Sequence, residues 1–474
     1  MTAFWRHIIN VPGLCQPPCL LVKTNVRWQS AAASPQVQDF LNGAPHRKHP
    51  GVTALRCVSL PEELQRAALC TIHGASVSDL ADRAQRLNNF LWSRKRPVED
   101  LALRQKAVAF EKQLWQRERD RLEERHRLAG GGGGEGTEGD LLLLEAQIQK
   151  KVLSEMRRTT YHWTPLRYSE DVAVVFLAAR LAGGYAALRR ALNEIKKRSP
   201  SFSPHSLLDF GSGVGSALWA AQSLWGDSLG EAVCVDRSAA MNSLSEQLLK
   251  GGSGKKDPLF KHAYFRQFLP VTPKVQFDLV VSAFSLSELP SQKERKDTVR
   301  ALWRKTNSYL VLVENGTKDG HQILMEARDA LLMEEDKVTF DHRRPCVFAP
   351  CPHELPCPKL KQRSLLPCNF AQPYCPLPLP WSTQREVERF SYVILSRTGQ
   401  GEEQGAGLEW ARLISPVLRR ARHAHCHLCC NDGELRRVAV TAHRHGRDVY
   451  RCARSSDWGD RLPIIQSEDH APVE

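Results

Sequence analysis

The chain has 474 residues, a formal net charge of +14 and a pI near 9.2. That length accommodates two or three domains around at least one sizeable core. No run of the roughly 18 apolar residues that a membrane span needs occurs, so no membrane partner is expected. The positive excess biases partners toward polyanions such as RNA.

Residues 1–38 carry no Asp or Glu, and the first acid is Asp39. Arg6, Lys23 and Arg27 are interleaved with Phe4, Trp5, Ile8, Ile9, Leu20 and Trp28. A basic, acid-free, loosely amphipathic start is the composition of a mitochondrial transit peptide, which predicts import into the matrix. A plain unstructured terminus is the alternative.

Residues 39–200 form the expected helical N-terminal region. Leu60, Pro61, Glu62 and Glu63 make a helix start, and Leu64, Ala67 and Ala68 follow at helical spacing. The mixed-sign run from Arg117 to Arg127 predicts a solvated helix laced with ion pairs. A glycine-rich tract at 130–139 reads as a linker. Helical pattern resumes over Leu141–Met156 and again after Ser169, a candidate N-cap.

From about Ser206 short apolar strands alternate with helical stretches. The strand candidates are residues 206–210, 232–236, 277–282 and 308–314. This alternation predicts a doubly wound parallel sheet over residues 201–340. Beyond it lie a proline-crowded, cysteine-rich segment at 341–464 and a short tail at 465–474. Within 341–464, residues 389–396 read as a strand. Residues 437–442 and 448–452 read as a hairpin turning near Gly446.

Asp209-Phe-Gly211-Ser-Gly213-Val-Gly215 follows the first of these strands and precedes a helix. Glycines permit a tight turn and let a ligand approach the backbone. Asp236 ends the next strand, where a carboxylate can accept both ribose hydroxyls of an adenosine. This acid-x-G-x-G-x-G loop resembles that of class I, Rossmann-like S-adenosylmethionine-dependent methyltransferases. The resemblance implies that Asp209, Gly211, Gly213 and Gly215 line the cofactor while Asp236 holds the ribose. No catalytic motif accompanies the loop. The segment after the third strand candidate reads Ser282-Ala-Phe-Ser-Leu-Ser-Glu-Leu-Pro290, with Glu288 its sole carboxylate. No cysteine nucleophile stands between Cys234 and Cys346.

Nine of the fourteen cysteines fall between Cys346 and Cys452. In an intracellular chain, clustered thiols are more often metal ligands than disulfides. The spacings Cys351-x5-Cys357-x10-Cys368 are too loose for a zinc knuckle, and Cys-Pro pairs occur in ferredoxin-type runs. A [4Fe–4S] cluster is the expectation. The alternatives are zinc on Cys426, Cys429 and His423, His425 or His427, or unligated thiols.

The run C351-P-H-E-L-P-C357-P is followed by C368-N-F, F390-S-Y-V, L428-C-C-N-D-G433, Y450-R-C-A-R and W458-G-D460. In that order these motifs resemble the Rsm-type methyltransferase-like factors of the mitochondrial ribosomal small subunit, over nearly all the chain beyond residue 38. The resemblance implies a class I methyltransferase fold followed by an iron–sulfur module. Its [4Fe–4S] cluster would sit on Cys351, Cys357, Cys368 and a fourth cysteine matching Cys429 better than Cys426 or Cys430. It also implies a factor that binds small-subunit rRNA during assembly, alongside other assembly factors, and supports mitochondrial translation. The rival expectation is an active S-adenosylmethionine-dependent rRNA methyltransferase. One departure is Glu314-Asn-Gly-Thr, where family members usually carry Glu-Pro-Gly-Thr.

Residues 411–454 hold ten arginines and five histidines against three acids. Arginine suits bidentate phosphate contact and base stacking, so this stretch is the candidate rRNA-facing surface, with a plain solvated face as its alternative.

Overall fold

The computed structural model describes residues 40–465 apart from 42, 129–137, 162, 253–256, 273, 334–342, 363, 365 and 398–408. The transit segment at 1–38, most of the glycine tract and the tail beyond 465 lie outside the described residues.

Five helices come first: α1 (Glu62–Gly74), α2 (Leu80–Ser93), α3 (Asp100–Leu128), α4 (Glu138–Thr159) and α5 (Glu170–Arg198). Helix α1 buries Leu64, Ala67, Ala68, Thr71 and Ile72, the i, i+3, i+4 stripe of an amphipathic helix. Helices α3 and α4 pack against each other and leave Val108, Leu122, Leu142 and Leu153 exposed. Helix α5 begins where expected: Ser169 Oγ accepts the Val172 N–H at 3.4 Å. By length and composition α5 could cross a membrane, yet 72% of its most apolar window is buried inside the protein. It is the central helix of the larger core, buried along most of its length.

The alternating region then gives β1 (Ser206–Phe210), α6 (Ser216–Trp225), β2 (Glu231–Val235), α7 (Ala239–Leu249), β3 (Ala263–Arg266), β4 (Phe277–Ala283), α8 (Gln292–Arg304), β5 (Thr306–Asn315) and α9 (Lys318–Leu332). The strands run parallel in the order β3-β2-β1-β4-β5. Their order reverses between β1 and β4, and a crevice opens there at the carboxyl ends of the strands. One core fills the face under α5, α6 and α7, and a second fills the face under α8 and α9. Edge strand β3 was not among the expected strands, for its four residues Ala-Tyr-Phe-Arg are half-buried or exposed and carry no apolar run.

Beyond α9 come β6 (Pro345–Ala349), α10 (Pro358–Lys361), β7 (Phe370–Tyr374) and β8 (Glu386–Arg397). Strand β8 pairs antiparallel with β5 over Phe390–Ser396 and also carries β6 and β7. The first sheet therefore runs across the domain limit expected at 340/341. A continuous parallel-to-antiparallel ladder leaves no exposed edge at β5.

A second, smaller sheet follows: β9 (Ala411–Leu413), β10 (Leu418–Arg419), β11 (Ala424–Cys429), β12 (Leu435–Val440) and β13 (Arg461–Leu462), with α11 (Ala442–His445) and α12 (Arg447–Ser455) packed on it. Here the expected hairpin is corrected. The hairpin joins β11 to β12 through Asn431-Asp432-Gly433, with Gly433 at φ 74°. Residues 448–452 are helical instead. Val449, Cys452 and Ala453 are buried at i, i+3 and i+4, a helical period that competes with alternation in so short a segment. Thr441 caps α11 by accepting the Arg444 N–H at 3.3 Å, ending the strand that the alternating pattern extends.

Candidate functional site: a glycine-loop cavity and a four-thiol centre

The crevice holds a cavity of about 940 Å³ lined by Asp209, Gly211, Gly213, Asp236, Glu288 and Glu314, among others. Strand β1 delivers Asp209, which is buried and whose Oδ2 has no hydrogen-bond partner. Burial, reinforced by the neighbouring Asp236 charge, pushes its carboxyl up to about 8. Glu314, at the end of β5, is likewise buried with Oε2 unpartnered, and burial pushes it up to about 7. Asp236 is more engaged: Oδ2 accepts Gly213 N–H at 2.9 Å and Oδ1 accepts Ser238 N–H at 2.8 Å. Burial nonetheless raises its pKa, against the pull of those two N–H groups.

The three loop glycines do different things. All have positive φ, at 69°, 51° and 77°. A Cβ on Gly211 would fall 2.0 Å from Ser285 Oγ, and one on Gly215 would fall 2.5 Å from Ser245 Oγ, so both let neighbouring elements close in. Only Phe176, at 3.9 Å, lies near a Cβ position on Gly213, which leaves this backbone open to the cavity. Gly215 is the one loop residue of the expected set that does not line it.

Glu288, the carboxylate in the loop after β4, accepts the Tyr168 hydroxyl at 2.6 Å and stands 3.6 Å from Arg94. Burial raises its pKa while Tyr168 and Arg94 pull it down. Tyr168 and Arg94 come from the helical N-terminal region and escaped sequence reasoning, because nothing local marks them.

Cys351, Cys357, Cys368 and Cys429 converge on a second, much smaller cavity of about 20 Å³, shared with His321, Met325, Lys359 and Tyr392. Residues separated by as many as 78 positions in the chain thus meet at the junction of the two sheets. Cys351 follows β6, Cys357 precedes α10, Cys368 precedes β7, and Cys429 ends β11. Along β11 the side chains of Ala424, Cys426 and Leu428 enter the small sheet's own core, which also takes Cys430 and Cys452. Cys429 faces the other way, toward the three upstream thiols. Burial pushes Cys351 up to about 11 and Cys368 up to about 12, and raises Cys429 well above an ordinary thiol. Cys351, Cys368 and Cys429 are therefore protonated in the absence of a cation.

Two imidazoles touch this set. His321 Nε2 lies 3.7 Å from Cys357 Sγ, and His353 Nε2 lies 3.4 Å from Cys429 Sγ. His353 Nδ1 stands 3.1 Å from the Leu355 carbonyl, which can only accept, so Nδ1 carries the proton and Nε2 accepts from the thiol. Among the described residues, no group of three or more His, Cys, Asp or Glu side chains converges closely enough to hold a single metal ion.

The centre is braced from α5. Glu194, fully buried, accepts from Arg412 at 2.7 Å, Arg190 at 3.1 Å and Tyr392 at 2.9 Å. Burial opposes its ionisation, but Arg412 and Arg190 outweigh that and hold its carboxyl well below the usual range. Arg412 also donates to the Pro350 carbonyl at 2.9 Å, one residue before Cys351. One ion-pair network thus ties α5, β9 and the first cysteine loop together.

The arginine-rich stretch divides by burial. Arg412 is internal, whereas Arg420, Arg422, Arg437, Arg444, Arg447 and Arg451 are exposed on the small sheet and its helices. Of the remaining cysteines beyond residue 340, Cys426, Cys430 and Cys452 are buried, while Cys346 and Cys375 are half-exposed.

The profile of the family described as mitochondrial small ribosomal subunit Rsm22 matches residues 170–463. The chain is 49% identical over 433 residues to human ribosome assembly protein METTL17, mitochondrial, covering 91% of this chain and 89% of that protein. It is 32% identical over 228 residues to Rsm22-cox11 tandem protein 2, mitochondrial, of Schizosaccharomyces pombe, covering 41% of this chain and 30% of that protein. Among solved structures it is similar to magnesium protoporphyrin IX methyltransferase of Synechocystis PCC 6803 with bound SAM, at 12% identity and TM-score 0.27, covering 56% of this chain and 100% of that one. A similar likeness links it to the N-methyltransferase NodS of Bradyrhizobium japonicum, at 12% identity and TM-score 0.26, over 44% of this chain and 95% of that one.

Proposed function

The chain belongs to the Rsm22 family of the mitochondrial small ribosomal subunit, and from that premise we propose that it is a mitochondrial matrix factor that binds small-subunit rRNA during assembly and depends on a [4Fe–4S] cluster. The observation that carries this reading is the meeting of Cys351, Cys357, Cys368 and Cys429 where the two sheets join.

The donor set suits a cluster better than a single ion. Four thiolates can also hold zinc, but the Cys351-x5-Cys357-x10-Cys368 spacing departs from the paired knuckles that zinc sites favour. A [4Fe–4S] cluster takes each thiolate at a different iron corner, and the four side chains would rotate apart to admit it. A bound cluster supplies covalent cross-linking of otherwise separate loops. Arg328, Arg412 and Lys359 act on these thiols as positive charges, which favours the thiolate forms that ligation requires. Proline-rich chain between β6 and β7 has too few apolar side chains to fix itself, so losing the cluster should loosen the small sheet from α5 and abolish subunit binding. The six exposed arginines from Arg420 to Arg451 would track phosphates.

The glycine-loop cavity would take S-adenosylmethionine. Asp236 would accept the ribose hydroxyls, Gly213 would pass the ligand against its backbone, and the unpartnered oxygens of Asp209 and Glu314 would receive the positive groups of the methionine end. Glu288 is already engaged by Tyr168 and Arg94, which favours a binding role for the cavity over methyl transfer. Calorimetry with purified protein tests the cofactor: binding that Asp236→Ala weakens supports the assignment, and no binding removes it. If Asp236→Ala cells lost one specific rRNA methyl mark while assembly stayed normal, methyl transfer would replace binding as the function.

A further inference from the structure

Away from both sites, residues 49–60 form a strap laid over the junction of the two sheets. Arg461 N–H donates to the Gly51 carbonyl at 2.9 Å, and the Thr53 and Ala54 N–H groups donate to Asp460 Oδ1 at 2.8 and 2.9 Å. Asn193 on α5 reaches the Thr53 carbonyl at 2.9 Å. The strap ends on β7, where Val58 N–H donates to the Pro373 carbonyl at 3.0 Å and Cys375 N–H donates to the Val58 carbonyl at 2.9 Å.

At that end two thiols meet. Cys57 Sγ and Cys375 Sγ are 3.6 Å apart, although 318 positions separate them in the chain. Both are half-exposed, unlike Cys234, Cys426, Cys430 and Cys452, which lie in apolar cores. We propose that Cys57 and Cys375 form a reversible disulfide that staples the strap to strand β7.

The backbone hydrogen bonds seat Val58 beside Tyr374, and Cys57 and Cys375 flank that pairing diagonally. Disulfide formation closes the sulfurs from 3.6 Å to about 2.05 Å. Either thiol can attack first, and the route through Cys375 is representative. With glutathione disulfide as oxidant, the Cys375 thiolate attacks one of its sulfurs. A protein–glutathione S–S bond forms, the glutathione S–S bond breaks, and one glutathione thiolate leaves with the Cys375 proton. The Cys57 thiolate then attacks Cys375 Sγ and expels the second glutathione, which takes the Cys57 proton. Two protein thiols are oxidised, and one glutathione disulfide becomes two glutathiones.

The test uses the full chain, purified anaerobically and equilibrated in glutathione buffers from reducing to oxidising. Free thiols are alkylated, the protein is digested without reduction, and peptides are mapped by mass spectrometry. A Cys57–Cys375 linked peptide is expected under oxidising conditions, reverting with dithiothreitol and accompanied by an upward shift in melting temperature. In Cys57→Ser and in Cys375→Ser, the remaining thiol should carry glutathione in place of the protein disulfide. Both variants should melt like reduced wild type, since both positions are half-exposed. The proposal is overturned if both thiols remain alkylatable in wild type at every glutathione ratio, or if either one pairs with a different cysteine.

Discussion

Asp209 keeps its proton near neutral pH because its carboxyl is buried beside Asp236 with one oxygen unpartnered. The unfolded chain ionises Asp209 near 3.8 and the folded chain near 8. Folded protein therefore binds the extra proton between those values, and Asp209 lowers stability progressively as pH rises from about 4 to about 8, then levels off. Removing the titration by Asp209→Asn should make the variant gain on wild type across that window. The gain should grow by up to about 1.4 kcal/mol per pH unit, read as the difference between two urea-melt series. A flat difference would mean the carboxyl is ionised throughout. Glu194 behaves in the opposite sense. Its pKa is depressed, so its contribution is present above about 4.5 and is lost only as pH falls well below that. Glu194→Gln should cost on the order of 3–5 kcal/mol at neutral pH, because it leaves Arg412 buried beside Arg190 without a counter-charge. A loss under 1 kcal/mol in chemical denaturation would contradict that. The glycine loop was legible in the sequence because it is local: strand, acid, turn and helix follow one another. The Glu194–Arg412 pair was not, because 218 positions separate its members and neither sits in a motif.

Strand periodicity decides which cysteine of the 426–430 knot faces the upstream thiols. On β11, alternation sends Cys426 with Ala424 and Leu428 into the small core and sends Cys429 to the junction. Cys429→Ser should therefore abolish bound iron, while Cys430→Ser should retain it and lose stability through its buried site. Iron retained in Cys429→Ser would remove Cys429 from the ligand set. The same region shows where patterning fails. Residues 448–452 satisfy a short alternating pattern, yet the i, i+3, i+4 burial of Val449, Cys452 and Ala453 makes them helical. That correction moves arginines from a ribbon to a helix. Arg447 and Arg451 share one face of α12, and Arg444 lies just before it on α11. Replacing Arg444, Arg447 and Arg451 with Ala should weaken binding to small-subunit rRNA. It should also lower the slope of log affinity against log salt by roughly 0.7–0.9 for each phosphate left without its arginine. An unchanged slope would assign phosphate binding to another surface.

At the scale of the molecule, two sheets with separate cores meet along one seam. It contains the Glu194 network, the strap from residue 49 to residue 60, and the four thiols. Local patterning reveals the parallel strands and the cysteine spacing but not the seam. A seam is made of long-range pairs, and no local period encodes them. The limit expected at residue 340 likewise failed to anticipate that β8 would continue the first sheet. The seam is where loss of metal should be felt. Iron, acid-labile sulfide and zinc per chain should be measured on anaerobically purified protein, with Cys429→Ser and small-subunit association followed in parallel. About four irons and four sulfides per chain, lost together with subunit association in the variant, is the predicted result. One zinc without sulfide, or subunit association undiminished in a variant that has lost its iron, would contradict a cluster-dependent assembly factor.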